Sequence, residues 1–543
     1  MKRAAFFRTE YLCLIVILAI MALFFHLSLI THWADSELWA ISVSRIFSLD
    51  TPDWGSHYKI AFHSFLKWLY FFPLNNLETI NGARLEFAFL GAAIAILLVF
   101  LEREFREKRT LPGIAALLFC SSSFFLSQGY RVRSDLLACF FQISALWLSI
   151  RFLREPGRQA GLFILSVGTL NLLMFLATPK AVYHFIVNAV VTVVLASRSP
   201  ARRAHLALFF CVLFGPLFLA ALLILANWDT YQTAANFFLR SFEGGHGHPP
   251  YLSRAAFIYV FQFVSQNPLL FLLWVAATVS SFINWRNEMS YSRALALGSV
   301  ISVGLIVLHN DRLPFFVFSL LPIPILHVAL LLDEKLQYIR STWRFVAIAA
   351  IFAKALYWYT WQQAHDSNKL QRQAAQTIET YLERYPNAIY YDEAAVLPRT
   401  NQIFFKVEPS HEGNSYFLLQ MFEHRRPDLI FFSNGLFHYF DEVMAHLEEN
   451  YYIQIGRGVY ARAKFLPLQS VKDADLSDLC GANDTTPYYL YAGPNFMEMA
   501  RIRDIDEIEG HPSNTLIACS PFGPIYFPEG RSFAQIFDFG VTN

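Results

Sequence analysis

The chain has 543 residues, of which 55% are hydrophobic, 17% aromatic and only 16% charged, with a mean hydropathy of +0.36. That balance is too apolar for a water-soluble protein and predicts a polytopic α-helical membrane protein. The formal net charge of +1 excludes a global field that would attract nucleic acid, so the charges carry meaning only through where they fall.

The N-terminus, MKRAAFFRTEYLC, leads into an apolar run, Leu12–Ile30, of about 20 residues, enough to cross a bilayer. The run exceeds a signal-peptide core and exits into HWADSE without a small-residue cleavage site, which predicts a retained anchor. The segment Thr31–Arg84 follows, carrying Asp35, Glu37, His57, Lys59, Lys67 and Arg84. Further apolar runs begin near Leu85, Leu111, Leu136, Gly161, Ala181, Leu206, Ala255, Ala294, Pro314 and Phe345. Together they predict about 11 transmembrane helices. Alternate short loops are basic, among them Arg103/Arg106/Lys108/Arg109, Arg151/Arg154/Arg158 and Arg198/Arg202/Arg203. Short basic loops stay on the cytoplasmic side, which predicts an N-in, C-out topology with Thr31–Arg84 outside.

From about Trp361 the composition becomes soluble. Leu370, Ala374, Ile378 and Leu382 fall at helical spacing, Ala388–Tyr391, Asp428–Phe432 and Gly458–Ala463 read as strands, and Asp441–Glu449 as an amphipathic helix. The expected division is a transmembrane domain at 1–359 and an extracytoplasmic α/β domain at 360–543, loop-rich beyond Leu468. Cys480 and Cys519 in that domain are either a disulfide or two thiols, whereas Cys13, Cys120, Cys139 and Cys211 lie in apolar runs as small core residues. The sequon at Asn483 matters only in a glycosylating lumen.

Polar residues on the external side cluster at helix ends: Asp35 and Glu37; Arg131, Arg133 and Asp135 in GYRVRSD; Lys180 in ATPKA; and His309, Asn310, Asp311 and Arg312 in LHNDR. Charges at that depth are costly unless paired or wetted, so their convergence predicts a functional cavity, while each pair alone reads as a salt bridge closing a turn. His246 and His248 in GGHGHPP are too sparse for a dedicated metal site, and no metal or other cofactor is expected.

Four of these stretches give the chain a resemblance to the GT-C superfamily of membrane glycosyltransferases. That superfamily includes protein O-mannosyltransferases, aminoarabinose transferases acting on lipid A, and mannosyltransferases of lipid-linked oligosaccharide synthesis. An acidic pair, Asp35 and Glu37, follows the first span; NGARLEFAFLGAAI resembles the family's "aRL" helix with Arg84; YRVRSDLLACFF resembles its "R…D-x-L" helix with Arg133 and Asp135; and LHNDRLPFFVFSLLPIP is similar to its segment from His and Arg to two prolines, with His309 and Arg312. Ser36 separates the two acids, which stand adjacent in many relatives, so which of them inherits the catalytic role stays open.

The resemblance implies transfer of a sugar, hexosyl or mannosyl in type, from a polyprenyl-phosphate donor to a hydroxyl of a glycolipid, polysaccharide or protein, with inversion. It also implies a bacterial inner membrane enzyme with its site on the periplasmic face. Such chemistry needs a carboxylate to take a proton and cations to receive the departing phosphate. Asp35 is expected as the base with Glu37 as its understudy; on a helix, positions two apart diverge by about 200°, so only one of them could face substrate. Arg84, Arg133, Lys180 and Arg312 are expected to bind the donor phosphate, with Lys59 and His57 in the same role and Asp135 and His309 in support. A transporter or flippase of lipid-linked sugars also needs a charged cavity, but predicts related halves or broken, Gly-rich spans. An inactive relative would have Asp35 away from any cavity.

Overall fold

A computed structural model of the chain describes residues 2–47, 59–105, 113–155, 157, 159–197, 199–226, 253–285, 290–309, 312–392, 395–400, 414–432, 436–450, 452–456, 458–462, 465–467, 486–492, 497–501 and 516–520. These form two compact units, Met1–Lys369 with Leu397–Arg399, and Leu370–Val396 with Thr400–Asn543.

The first unit is all-helical. Helix α1 (Lys2–Ile30) is followed by the short α2 (Asp35–Ile46) and α3 (Ile60–Lys67), then by α4 (Asn76–Phe105), α5 (Ile114–Cys120), α6 (Ser123–Gln128), α7 (Ser134–Arg154), α8 (Ala160–Ala177), α9 (Ala181–Ala196) and α10 (Arg203–Ala226). After α11 (Ile258–Gln266) and α12 (Pro268–Ile283) come α13 (Ser290–Leu308), α14 (Pro314–Ser319), α15 (Pro322–Leu336) and α16 (Ser341–His365). Among the described residues, 5 helices are long and apolar enough to cross a membrane, or 6 if α11 and α12 count as one bent span; Ala181–Ala196 and Arg203–Leu219 are shorter apolar helices.

Three apolar runs that read as single spans are broken. The run from Leu111 divides at Ser122, whose Oγ accepts the Phe125 N–H at 3.2 Å and so caps α6. The run from Ala255 turns by 94° between α11 and α12. Pro268 has no N–H to continue α11, and the Asn267 amide bonds Ser123 Oγ at 2.8 Å and the Phe263 carbonyl at 2.9 Å. The run from Pro314 restarts at Pro322, the first residue of α15.

The C-terminal ends of α1 and α16 are tied together. His32 N donates to the Asp366 carbonyl at 2.7 Å and Asn368 N to the Ile30 carbonyl at 2.9 Å, with a bridge between Thr31 and Ser367. Helix α4 buries Ile80, Ala83, Arg84, Phe87, Gly91, Ile94 and Leu98 along one stripe. A Cβ on Gly91 would stand 2.6 Å from the Gly129 carbonyl oxygen, so its lack of a side chain lets α4 approach the turn between α6 and α7.

In the second unit α17 (Lys369–Arg384) buries Ala374, Ala375, Ile378 and Tyr381, whereas Leu370 is exposed. Strands β1 (Tyr390–Asp392), β2 (Leu429–Phe431), β3 (Tyr452–Gly456) and β4 (Val459–Arg462) form a sheet in the order β1-β2-β4-β3, with β1 and β2 parallel. Helices α18 (Asn414–Arg425) and α19 (Phe440–Glu449) contribute Phe422, Val443 and Leu447 to a core with Tyr391, Ile430 and Tyr460. The expected loop-rich tail instead contributes to a second sheet: β5 (Phe465–Pro467), β6 (Thr486–Ala492), β7 (Met497–Arg501) and β8 (Leu516–Ser520), in the order β5-β8-β6-β7. The β-favouring runs YYLY and LIACS outweigh the surrounding turn formers. Cys480 and Asn483 lie outside the described residues.

Candidate active site

Arg84 lies on the buried stripe of α4, where an arginine persists only with its charge and all its donors satisfied. Its Nε and Nη2 form a two-pronged pair with Glu37 Oε1 at 2.7 Å and Oε2 at 2.9 Å. The remaining N–H groups reach the carbonyls of Thr31 at 2.8 Å, His32 at 2.6 Å and Ser28 at 3.2 Å. Both side chains are fully buried. Glu37 also accepts from Val132 N at 3.2 Å, Ala34 N at 3.2 Å and Arg131 Nη1 at 3.4 Å. Burial works to raise the Glu37 carboxyl, but Arg84, Arg131 and the Val132 N–H hold it down at about 2.

With every lone pair engaged, Glu37 has none to offer a substrate, and Arg84 has no N–H left for a phosphate. The geometry therefore argues for the pair as a clamp joining α2, α4 and the loop after α1. That replaces the catalytic part expected of Glu37 and the phosphate-binding part expected of Arg84. Asp35 is the first residue of α2, directly after extended Ala34. The helix that the sequence left open is present, so the two acidic positions diverge around it.

Arg131 links this clamp to a cavity. Its Nη1 donates to the His32 carbonyl, its Nη2 pairs with Asp366 Oδ2 at 3.1 Å, and its Nε reaches the Ser127 carbonyl at 3.3 Å. Arg131 and Asp366 both line a polar hollow of about 270 Å³ bounded by α6, α11 and α16. Burial, and then the charges of Arg131 and Arg84, push His32 down to about 4. A histidine lowered in the folded state makes stability rise with pH, here between about 4 and the usual 6.5; Glu37 adds the same sign below the usual 4.5, and buried Asp366, shifted upward, opposes them. We expect Tm to fall as pH drops from 6.5 to 4, and His32→Gln to flatten that limb, measured by thermal unfolding in detergent across this range.

A second group gathers around α14. Arg133 stands 4.0 Å from the Phe315 ring centre and Lys180 Nζ 5.6 Å from the same ring, so cations at the starts of two helices converge on one aromatic ring. Lys180 Nζ is also 5.3 Å from the Phe316 ring, against which His309 packs at 4.4 Å, and Tyr183 Oη lies 3.0 Å from His309 Nδ1. Pro314, beside these phenylalanines, lines the polar hollow. Arg133, Lys180 and His309 are thus brought together.

The other expected residues make different contacts. Arg312 is buried 4.1 Å from the Phe257 ring, donating to the carbonyls of Val307 at 2.6 Å and Ala256 at 3.4 Å. Lys59 precedes the first turn of α3 without a side-chain capping bond, its charge acting on His63. Asp135 is buried in the first turn of α7, its Oδ1 without a hydrogen-bond partner among the described residues. His57, Asn310, Asp311, His246 and His248 lie outside the described residues, among which no group of three metal-ligating side chains occurs.

Sequence reasoning passed over Arg131 as a ligand and assigned Asp366 to the soluble domain. The available signal was an acid one residue beyond the last apolar helix, following Trp358, Trp361, Gln362 and His365 at helical spacing.

The fold is similar to those of solved membrane proteins at low sequence identity. No protein-family profile matches the sequence, and no curated protein sequence does. Among solved structures, ArnT of Cupriavidus metallidurans, an aminoarabinose transferase, is similar in its apo state with a TM-score of 0.55 at 13% identity, covering 83% of this chain and 97% of its own. The same protein bound to undecaprenyl phosphate gives 0.50 at 13% identity, over 72% and 85%. The archaeal oligosaccharyltransferase AglB of Archaeoglobus fulgidus, in complex with an inhibitory peptide and a dolichol-phosphate, gives 0.48 at 14% identity, over 94% and 76%. The apolar helices and this fold make the chain an integral membrane protein.

Proposed function

We propose that this protein is a glycosyltransferase that moves a sugar, hexosyl or mannosyl in type, from a polyprenyl-phosphate-linked donor to an acceptor hydroxyl, with inversion. The proposed topology is about 11 spans, N-in and C-out, with the catalytic unit the helical one, Met1–Lys369 with Leu397–Arg399, and the α/β domain on the outer face of a bacterial inner membrane. The observation that carries the reading is the meeting of Arg133 and Lys180 over Phe315 beside the polar hollow, in a chain with this fold.

Asp35 takes the proton of the acceptor hydroxyl as its oxygen bonds to the anomeric carbon; the bond from that carbon to the phosphate oxygen breaks, and its electron pair leaves with the polyprenyl phosphate. Arg133 offers a planar fork and Lys180 a point charge to the phosphate that gains this charge. His309 and Asp135 support these helix ends, while Arg312, Lys59 and His57 are secondary candidates for the same anion. The acceptor is a glycolipid, a polysaccharide or a protein.

The test is reconstitution of the purified protein with undecaprenyl-phosphate sugars and envelope extract, following release of undecaprenyl phosphate and mass gain of an acceptor. Release without mass gain in any acceptor would refute transfer. Arg133→Ala and Lys180→Ala should each raise the donor KM by about 10- to 100-fold, the loss of one charge-assisted hydrogen bond; unchanged KM in both variants would remove them from the phosphate site.

A further inference from the structure

Helix α16 presents Trp358, Trp361, Gln362 and His365 at i, i+3, i+4 and i+7, a single helical stripe, and all four line the hollow that holds Arg131 and Asp366. Trp361 stacks on His365 with ring centres 5.0 Å apart at 17°, and Trp358 meets Trp361 edge-on at 5.5 Å. Opposite them, α11 supplies Gln262 and Gln266. Gln362 is only 7% exposed, and its Oε1 is buried without a hydrogen-bond partner among the described residues. A buried carboxamide oxygen left unpaired costs about 1–3 kcal/mol, which a bound donor group would recover.

Tryptophan at a bilayer boundary is ordinarily an interfacial anchor facing headgroups. That does not account for several carboxamides facing the same hollow, one of them short of a donor. Carboxamides give and accept hydrogen bonds as vicinal hydroxyls require, and indole faces suit the C–H faces of a sugar ring. The Arg131–Asp366 ion pair closes one wall without leaving a net charge there. At about 270 Å³ the hollow is at the scale of a single monosaccharide, below the roughly 300 Å³ of the smallest drug-sized pockets.

We infer that this hollow is a pyranose-binding subsite in which Trp361 stacks on the sugar ring and Gln362 accepts from a ring hydroxyl. It deepens the glycosyltransferase reading and rests on it. The sugar comes either from the donor or from a saccharide acceptor, since both present the same ring chemistry.

The full chain in nanodiscs, probed by saturation-transfer NMR with a panel of methyl hexopyranosides, should show transfer to ring protons of at least one of them. Trp361→Ala and Gln362→Leu should each weaken that signal at least tenfold while leaving undecaprenyl phosphate binding at the wild-type level. No signal from any glycoside, or equal signal from both variants, would overturn the subsite. So would loss of undecaprenyl phosphate binding in the variants, which would make the hollow a carrier site. Displacement of the glycoside by a lipid-linked sugar but not by undecaprenyl phosphate assigns the subsite to the donor; binding alongside the lipid-linked sugar assigns it to the acceptor. If the wild type transfers sugar and both variants transfer it equally well, the subsite fails and the enzyme reading survives. If it transfers none yet binds glycosides through Trp361, the reverse holds.

Discussion

Arg84→Met is expected to lower the stability of the helical unit by about 3–5 kcal/mol, because it leaves the fully buried Glu37 carboxylate with only the longer Arg131 pair at 3.4 Å. The loss should register as a Tm drop in detergent and as reduced protein in the membrane. Replacing both partners, Glu37→Gln with Arg84→Met, should recover part of it, since the poorly compensated buried charge disappears with its partner. Arg84→Lys should fall between, keeping the charge but losing the fork that grips both carboxylate oxygens. A single variant as stable as the wild type would show that the clamp carries no weight.

Asp35→Asn should behave in the opposite way. It should reduce kcat by about 10²- to 10⁴-fold, the range of general base catalysis, with wild-type Tm and normal membrane insertion. Glu37→Gln, by contrast, should reduce Tm, with activity falling only as the folded fraction falls. These paired measurements separate the expected base from its understudy. Full turnover by the Asp35 variant would end its candidacy.

The membrane character was legible because hydropathy reports directly on the solvent a helix prefers. Breaks within the runs were less so: Pro268 and Pro322 are visible as letters, but whether a proline kinks a span or starts a new helix depends on who satisfies the exposed backbone, as Asn267 does here. The arginines at helix ends could be picked out, but not their division of labour. Arg84 and Arg133 are alike in sequence, and only the packing of α4 against the turn at Gly129 turns one inward to Glu37. Arg131 stood out in the external cluster but without its partner, because Asp366 is separated from it by 235 positions.

The joining of the C-terminal ends of α1 and α16 has a consequence for biosynthesis. Arg131 receives its second carboxylate, and the hollow its tryptophan wall, only when the chain has been made through residue 366. Helices already threaded into the bilayer must therefore wait, with that guanidinium half-compensated, for a segment still on the ribosome. A product interrupted before that point lacks one wall of the hollow, and the cell's proteases would meet it as unfinished.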